Sequence, residues 1–203
     1  LDFKIMQGNS LLEQYKGVDL STMTEKKIGA GESLTFFDSM LDIYRKNLRD
    51  KLTEYYACPE HDKKMQLRKD IADIVKQELV EQGIHIDFED MDLSANSQFF
   101  LWHTWFHDVF SRPSKEGFDI VIGNPPYGAK YDNQTKRYYK NTYVTANSIR
   151  GLQKGSLDTY TLFIELGYNL LRKNGSFAYI VPISLTSSDS LTGVHRLLMG
   201  NCD

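Results

Sequence analysis

Four consecutive residues, Asn124, Pro125, Pro126 and Tyr127, combine groups that could hold and activate an amino nitrogen. The prolines lack an N–H and have a fixed φ, and a proline that follows holds the residue before it extended. The segment is therefore a stiff bracket, rich in acceptor oxygens and poor in donors. An exocyclic amino group on a planar ring suits it: the Asn124 side-chain oxygen and the Pro125 carbonyl each accept one amino hydrogen, while Tyr127 stacks on the ring face. The nitrogen lone pair, otherwise delocalised into the ring, becomes available for attack. A Pro-Pro turn with Tyr127 merely packed is the competing reading.

The surrounding elements must deliver this bracket to a surface. Phe118-Asp119-Ile120-Val121-Ile122-Gly123 is a short apolar run, expected to be a buried parallel strand. Gly123 and the prolines cannot continue a ladder, so the chain leaves the sheet at the carboxyl end of a strand, where open α/β sheets place their ligands. Upstream, Phe99, Phe100, Trp102, Phe106, Val109 and Phe110 predict one apolar helix over 97–110, capped by Asn96 or Ser97. Downstream, Tyr160, Phe163, Ile164, Leu170 and Leu171 predict a helix over 157–172 ended by Asn174-Gly175. Ser176 to Pro182 then predicts a second buried strand, and strand, helix, strand makes a right-handed parallel unit. A further helix is expected to begin over 190–199.

Asn124-Pro125-Pro126-Tyr127 after an apolar strand resembles the catalytic motif of the S-adenosylmethionine-dependent DNA adenine-N6 methyltransferases. The aromatic helix ahead of it resembles the methyltransferase region of bifunctional type II restriction-modification enzymes. Release-factor glutamine methyltransferases and some ribosomal RNA guanine methyltransferases carry the same or a near-identical tetrapeptide. Asp158-Thr159-Tyr160-Thr161-Leu162-Phe163 and the strand after it are similar to the family's next two motifs. The resemblance implies that Phe163 lines the pocket for the cofactor's adenine, with core packing as the alternative. Residues 2–12 predict a strand turning at Gly8-Asn9, and the resemblance implies that Asn9 accepts a bond from the cofactor's adenine amino group. The family has an acidic residue there, and an ordinary turn residue is the alternative. Gly29-Ala30-Gly31 follows no buried strand and reads as a linker, so the family's main cofactor loop is not found in this chain.

The net charge of −3 argues against a generally basic nucleic-acid binder, but its distribution is uneven. Over 128–156, Lys130, Lys136, Arg137, Lys140, Arg150 and Lys154 face Asp132 alone, interleaved with Tyr131, Tyr138, Tyr139 and Tyr143. Cations with aromatics suit phosphate contact and base stacking, and their place beside the bracket favours DNA over a merely solvated loop.

Phe37, Leu41, Tyr44, Leu48, Leu52 and Tyr55 recur at helical spacing and stop at Cys58-Pro59; Leu67, Ile71, Ile74, Val75 and Leu79 make a second stripe ending near Gly83. Two such helices are expected to pack as an antiparallel hairpin. Asp87, Glu89, Asp90 and Asp92 lack calcium-loop spacing, and His103 and His107 lack a third ligand, so no metal is expected. Cys58 and Cys202, the absence of any apolar run of membrane-spanning length and the lack of a signal peptide suit a cytoplasmic setting.

The expected fold is α/β: a partial Rossmann-like methyltransferase fold with parallel strands and a helical-hairpin insertion. Residues 1–31 form its edge strand and linker, 32–96 the insertion and 97–203 the catalytic half. The expected function is methyl transfer from S-adenosylmethionine to adenine N6 in DNA, as part of a longer restriction-modification parent. Asn124, Pro125, Pro126 and Tyr127 are catalytic, Asn9 and Phe163 touch cofactor, and Lys130, Lys136, Arg137 and Lys140 touch double-stranded DNA. The parent's other domains are expected partners, and a second copy could pair through an open sheet edge. Methylation of a protein glutamine or an RNA guanine, or a non-catalytic binding module, are the alternatives.

Overall fold

Apolar side chains at three- and four-residue spacing fold most of residues 36–81 into helices. A computed structural model describes residues 8–15, 18–19, 36–81, 83, 100, 102–110, 112–147 and 157–202, which divide into two compact units at Asp108. The expected strand over residues 2–7, the glycine pair at 29–31, the acidic run at 87–92, the cap at 96–97 and the cations Arg150 and Lys154 lie outside the described residues.

In the first unit, strands β1 (Gln14–Tyr15) and β2 (Val18–Asp19) pair antiparallel. Helices α1 (Phe36–Ala57) and α2 (His61–Glu81) form the expected hairpin, with Pro59 in the turn. Leu48 and Tyr55 meet Leu67, Ile71, Val75 and Leu79, all nearly inaccessible to water. Complete burial of such side chains contributes about 1.5–3 kcal/mol each, so the hydrophobic seam holds the pair. Ion pairs from Lys51 to Asp70 (3.2 Å) and from Lys63 to Glu54 (3.0 Å) cross the hairpin near the surface and mark its antiparallel register. Phe100 and Trp105 close the seam. The Phe100 N–H donates to the Leu12 carbonyl (2.8 Å) and Trp102 Nε1 to that of Ser10 (3.0 Å).

The single aromatic helix expected over 97–110 is instead two short ones, α3 (Trp102–Trp105) and α4 (His107–Phe110), broken at Phe106. The aromatics have different partners: Phe100, Trp102 and Phe106 gather on one another, whereas Phe110 packs edge-on to Phe118. One straight stripe cannot serve both groups.

The second unit is built on a parallel pair, β3 (Phe118–Gly123) and β4 (Leu171–Tyr179). Between them run α5 (Asn133–Thr142), a 3-10 turn (Val144–Ala146) and α6 (Thr159–Leu170); α7 (Thr192–Asn201) follows. Ile120 to Gly123 lie opposite Ser176 to Tyr179 in unbroken register, but Phe118 lies opposite Leu171, so the intervening residues of β4 loop out. Asn174 sits in that irregularity with φ +62°, and α6 has already ended at Leu170 with Leu171 extended. The Asn174-Gly175 pair is therefore a bulge in the strand and not the helix cap that its composition suggested.

A two-arginine clamp fixes the bulge. Asp119 accepts from Arg172 and from Arg112 (2.9 Å), while Arg172 also donates to the carbonyls of Lys173 (2.8 Å) and Asn174 (3.1 Å). The Arg172 and Arg112 guanidiniums hold the Asp119 carboxyl down at about 2. Gly117, at φ +107°, lets the backbone of β4 come this close: a Cβ there would stand 2.6 Å from the Arg172 backbone nitrogen.

Alternation along β4 turns Phe177 and Tyr179 onto Tyr160 and Ile164 of α6 and onto Leu191 and Val194, which form the core of this unit. The opposite face does not match the expected fully buried strand: Ile120 is 65% exposed, Ile122 74% and Ile180 69%. The apolar run encodes cover on two faces, and among the described residues only one is covered. Taken together, the molecule has an α/β fold with a parallel sheet and a helical hairpin, consistent with part of a Rossmann-like sheet.

Candidate active site

The bracket emerges where the two parallel strands end together. The Ile180 N–H donates to the Gly123 carbonyl (3.1 Å), extending the ladder one step beyond β4, and Asn124 leaves the sheet from there. Pro125 is buried and stiffens the exit, whereas Asn124, Pro126 and Tyr127 are exposed at the surface.

Two acceptor oxygens converge in this exit. The Tyr127 hydroxyl lies 2.8 Å from Asn124 Oδ1 and 3.0 Å from the Ile180 carbonyl. A phenol has one proton, so it satisfies one of these oxygens at a time, whereas an amino group carries enough hydrogens for two. The Tyr127 ring is half exposed and meets Tyr160 of α6 edge-on, centroids 6.1 Å apart at 76°. Sequence reasoning missed the Ile180 carbonyl, because a backbone acceptor has no side-chain signature. It also missed Tyr160, which its spacing marked only as a core residue.

The basic segment after the bracket is not the loop that its composition suggested. Asp132 caps α5, its carboxylate accepting from the Gln134 N–H (2.8 Å), the Thr135 N–H (2.9 Å) and the Thr135 hydroxyl (2.6 Å). These bonds hold the Asp132 carboxyl below its usual range, the Thr135 hydroxyl foremost. The Asp-x-x-Thr spacing was the available signal. Tyr139 is fully buried between Tyr131 and Tyr143, and the Tyr131 hydroxyl donates to Thr159 Oγ1 (2.7 Å). Burial raises the Tyr131 phenol above its ordinary value. With the tyrosines turned inward, Lys136, Arg137 and Lys140 are left exposed on α5, and Lys130 is exposed in the loop before it.

The two expected cofactor residues fall in different units. Asn9 lies in the first, where its Oδ1 accepts the Leu11 N–H (3.3 Å) and its carbonyl the Leu12 N–H (3.0 Å). Phe163 lies in the second, half-buried on α6 between buried Leu162 and Ile164. Among the described residues no three His, Cys, Asp or Glu side chains gather to hold a metal ion, and no helix is long and apolar enough to cross a membrane.

Several curated relatives match parts of the chain. A type II methyltransferase of Thermus thermophilus is 32% identical over 126 residues, 57% of this chain and 26% of the relative. A type II methyltransferase of Acinetobacter calcoaceticus is 28% identical, covering 51% of this chain and 16% of the relative. A type II restriction enzyme and methyltransferase of Escherichia coli is 31% identical over 93 residues, 41% of this chain and 8% of the relative. The chain thus spans about a quarter or less of the length of each of these relatives. No solved structure matches. The profile of the Eco57I restriction-modification methylases matches residues 17–203, which takes in the hairpin, the bracket and both parallel strands. By that match the chain belongs to the Eco57I restriction-modification methylase family.

Proposed function

We propose that the protein of which this chain forms part transfers a methyl group to adenine N6 in DNA, with Asn124, Pro125, Pro126 and Tyr127 as its reaction bracket. The observation that carries this reading is the convergence of Asn124 Oδ1 and the Ile180 carbonyl on a single donor at the carboxyl ends of parallel strands. Such a pair of oxygens, with the Pro125 carbonyl beside them, can accept both hydrogens of an exocyclic amino group. Accepting them draws the nitrogen lone pair out of the ring. No serine or cysteine stands within the bracket to act as a nucleophile, so the amino nitrogen attacks directly and no covalent enzyme intermediate forms.

S-adenosylmethionine, when bound, supplies the electrophilic methyl. On α6, Phe163 offers a partly accessible ring that suits its adenine. Asn124 orients the target amino group, and Tyr127 covers the face of its ring. A base paired inside a duplex cannot reach the bracket, so the adenine must flip out. Lys130, Lys136, Arg137 and Lys140 carry the positive charge that meets the flanking phosphates. The names of the relatives point the same way, each a type II methyltransferase and one also a restriction enzyme.

The test is a methylation assay on the full-length protein with duplex DNA, followed by nucleoside analysis of the product. N6-methyladenine is the expected product. Another methylated base, methylated RNA guanine or a methylated protein glutamine with DNA unmodified overturns the substrate assignment.

A further inference from the structure

Glu165 is a buried carboxylate that the reaction does not use. It is 5% exposed in the middle of α6, and its two oxygens accept two consecutive backbone N–H groups, Val144 through Oε1 (2.9 Å) and Thr145 through Oε2 (2.7 Å). Burying a carboxylate is costly unless its bonds are made, and here both oxygens are matched to neighbouring donors of one 3-10 turn. Thr145 Oγ1 also donates to the Thr161 carbonyl of α6 (3.2 Å). From the other side, Gly193 of α7 receives the same turn so closely that a Cβ would lie 3.1 Å from the Asn147 carbonyl and 3.2 Å from the Thr145 Cα.

That turn is the far end of the cationic segment. Asn147 Nδ2 donates to the Lys140 carbonyl (2.8 Å), joining the turn to the last turn of α5. At the near end, Tyr131 is bonded to Thr159 of α6, and Tyr127 leans on Tyr160 of the same helix. The charged helix is thus held at both ends by α6, which also touches the bracket.

We infer that Glu165 is a positioning residue for substrate binding: it sets where Lys136, Arg137 and Lys140 stand relative to the bracket. The inference rests on the DNA reading of α5 given above. A carboxylate is needed because a glutamine in its place accepts with one oxygen only and turns an N–H toward the second backbone donor.

The test is a double-mutant cycle in the full-length protein, read as duplex DNA affinity over a series of salt concentrations. Each phosphate contact adds about 0.9 to the slope of log K against log salt, so replacing Lys136, Arg137 and Lys140 together by alanine should flatten the slope by about 2–3. Glu165→Gln alone should weaken binding and flatten the slope in the same direction, with S-adenosylmethionine affinity unchanged. In the triple-alanine background it should have no further effect, because the cations it places are gone. Glu165→Gln that changes nothing, or that weakens the triple variant as much as the wild type, overturns the inference while leaving the DNA reading intact. A triple variant that binds DNA like the wild type overturns both. Thr145→Ala leaves the carboxylate and its two bonds in place, removes the parallel tie, and should move affinity the same way by less. This variant keeps the question open to measurement if Glu165→Gln does not fold.

Discussion

The two parts proposed for Tyr127 separate by atom. Its ring is the proposed stacking surface for an extruded base, a contact worth about 1–3 kcal/mol by analogy with other base–aromatic pairs. Its hydroxyl, before substrate arrives, lies between Asn124 Oδ1 and the Ile180 carbonyl and donates to one of them at a time. Tyr127→Ala should therefore weaken binding of duplex DNA carrying a mispaired adenine at the target position, whereas Tyr127→Phe keeps the ring and should bind close to wild type. Fluorescence anisotropy with such a duplex distinguishes them, and equal losses in the two variants count against stacking. At this scale the sequence was most informative where chemistry is carried by side chains. The Asn-Pro-Pro-Tyr run could be read as a bracket because proline stiffness and acceptor count follow from residue type alone. The Ile180 carbonyl, Glu165 and Asp119 could not, since their roles depend on partners about 20 to 55 positions away.

At the scale of elements, the Asp119 clamp makes the pairing of β3 with β4 depend on pH. The two arginines hold the folded carboxyl at about 2, Arg172 more than Arg112, against about 3.9 for an unperturbed aspartate. Because the folded value is the lower one, the clamp's stabilisation is complete above about pH 4 and is lost as pH falls through about 2. Asp119 is half exposed, so solvent screens the effect. Thermal melts between pH 2 and 5 should show a shallower acid limb for Asp119→Asn than for the wild type, and parallel limbs contradict the assignment. The hairpin α1–α2 was legible in advance because its period and its Cys58-Pro59 stop are local signals. The bulge at Asn174 was not: the same Asn-Gly pair suits a helix C-terminus and a left-handed kink, and the choice was made by Asp119 and Gly117 across the sheet. Helix α5 was hidden for a different reason. Tyr139 faces inward and the helix's cations outward at helical spacing, but the ten-residue segment is so polar that its composition reads as a loop, and the Asp132 cap is what marks its start.

For the molecule as a whole, the uncovered sheet face dominates. Ile120, Ile122 and Ile180 are exposed together on β3 and the end of β4, and among the described residues no strand pairs with the free side of β3. An apolar face beside an open edge is a template for association. The 203-residue chain by itself should therefore self-associate as its concentration rises. Ile120→Lys with Ile122→Lys should suppress that association in solution scattering. A chain that stays a clean monomer as its concentration rises contradicts this.

Asn124 is proposed to hold the amino group that is methylated. The most direct measurement is single-turnover methyl transfer to duplex DNA by the full-length protein carrying Asn124→Ala, with S-adenosylmethionine affinity measured on the same preparation by calorimetry. If Asn124 has that role, transfer is abolished while cofactor affinity stays close to wild type. Transfer at a near-normal rate contradicts it.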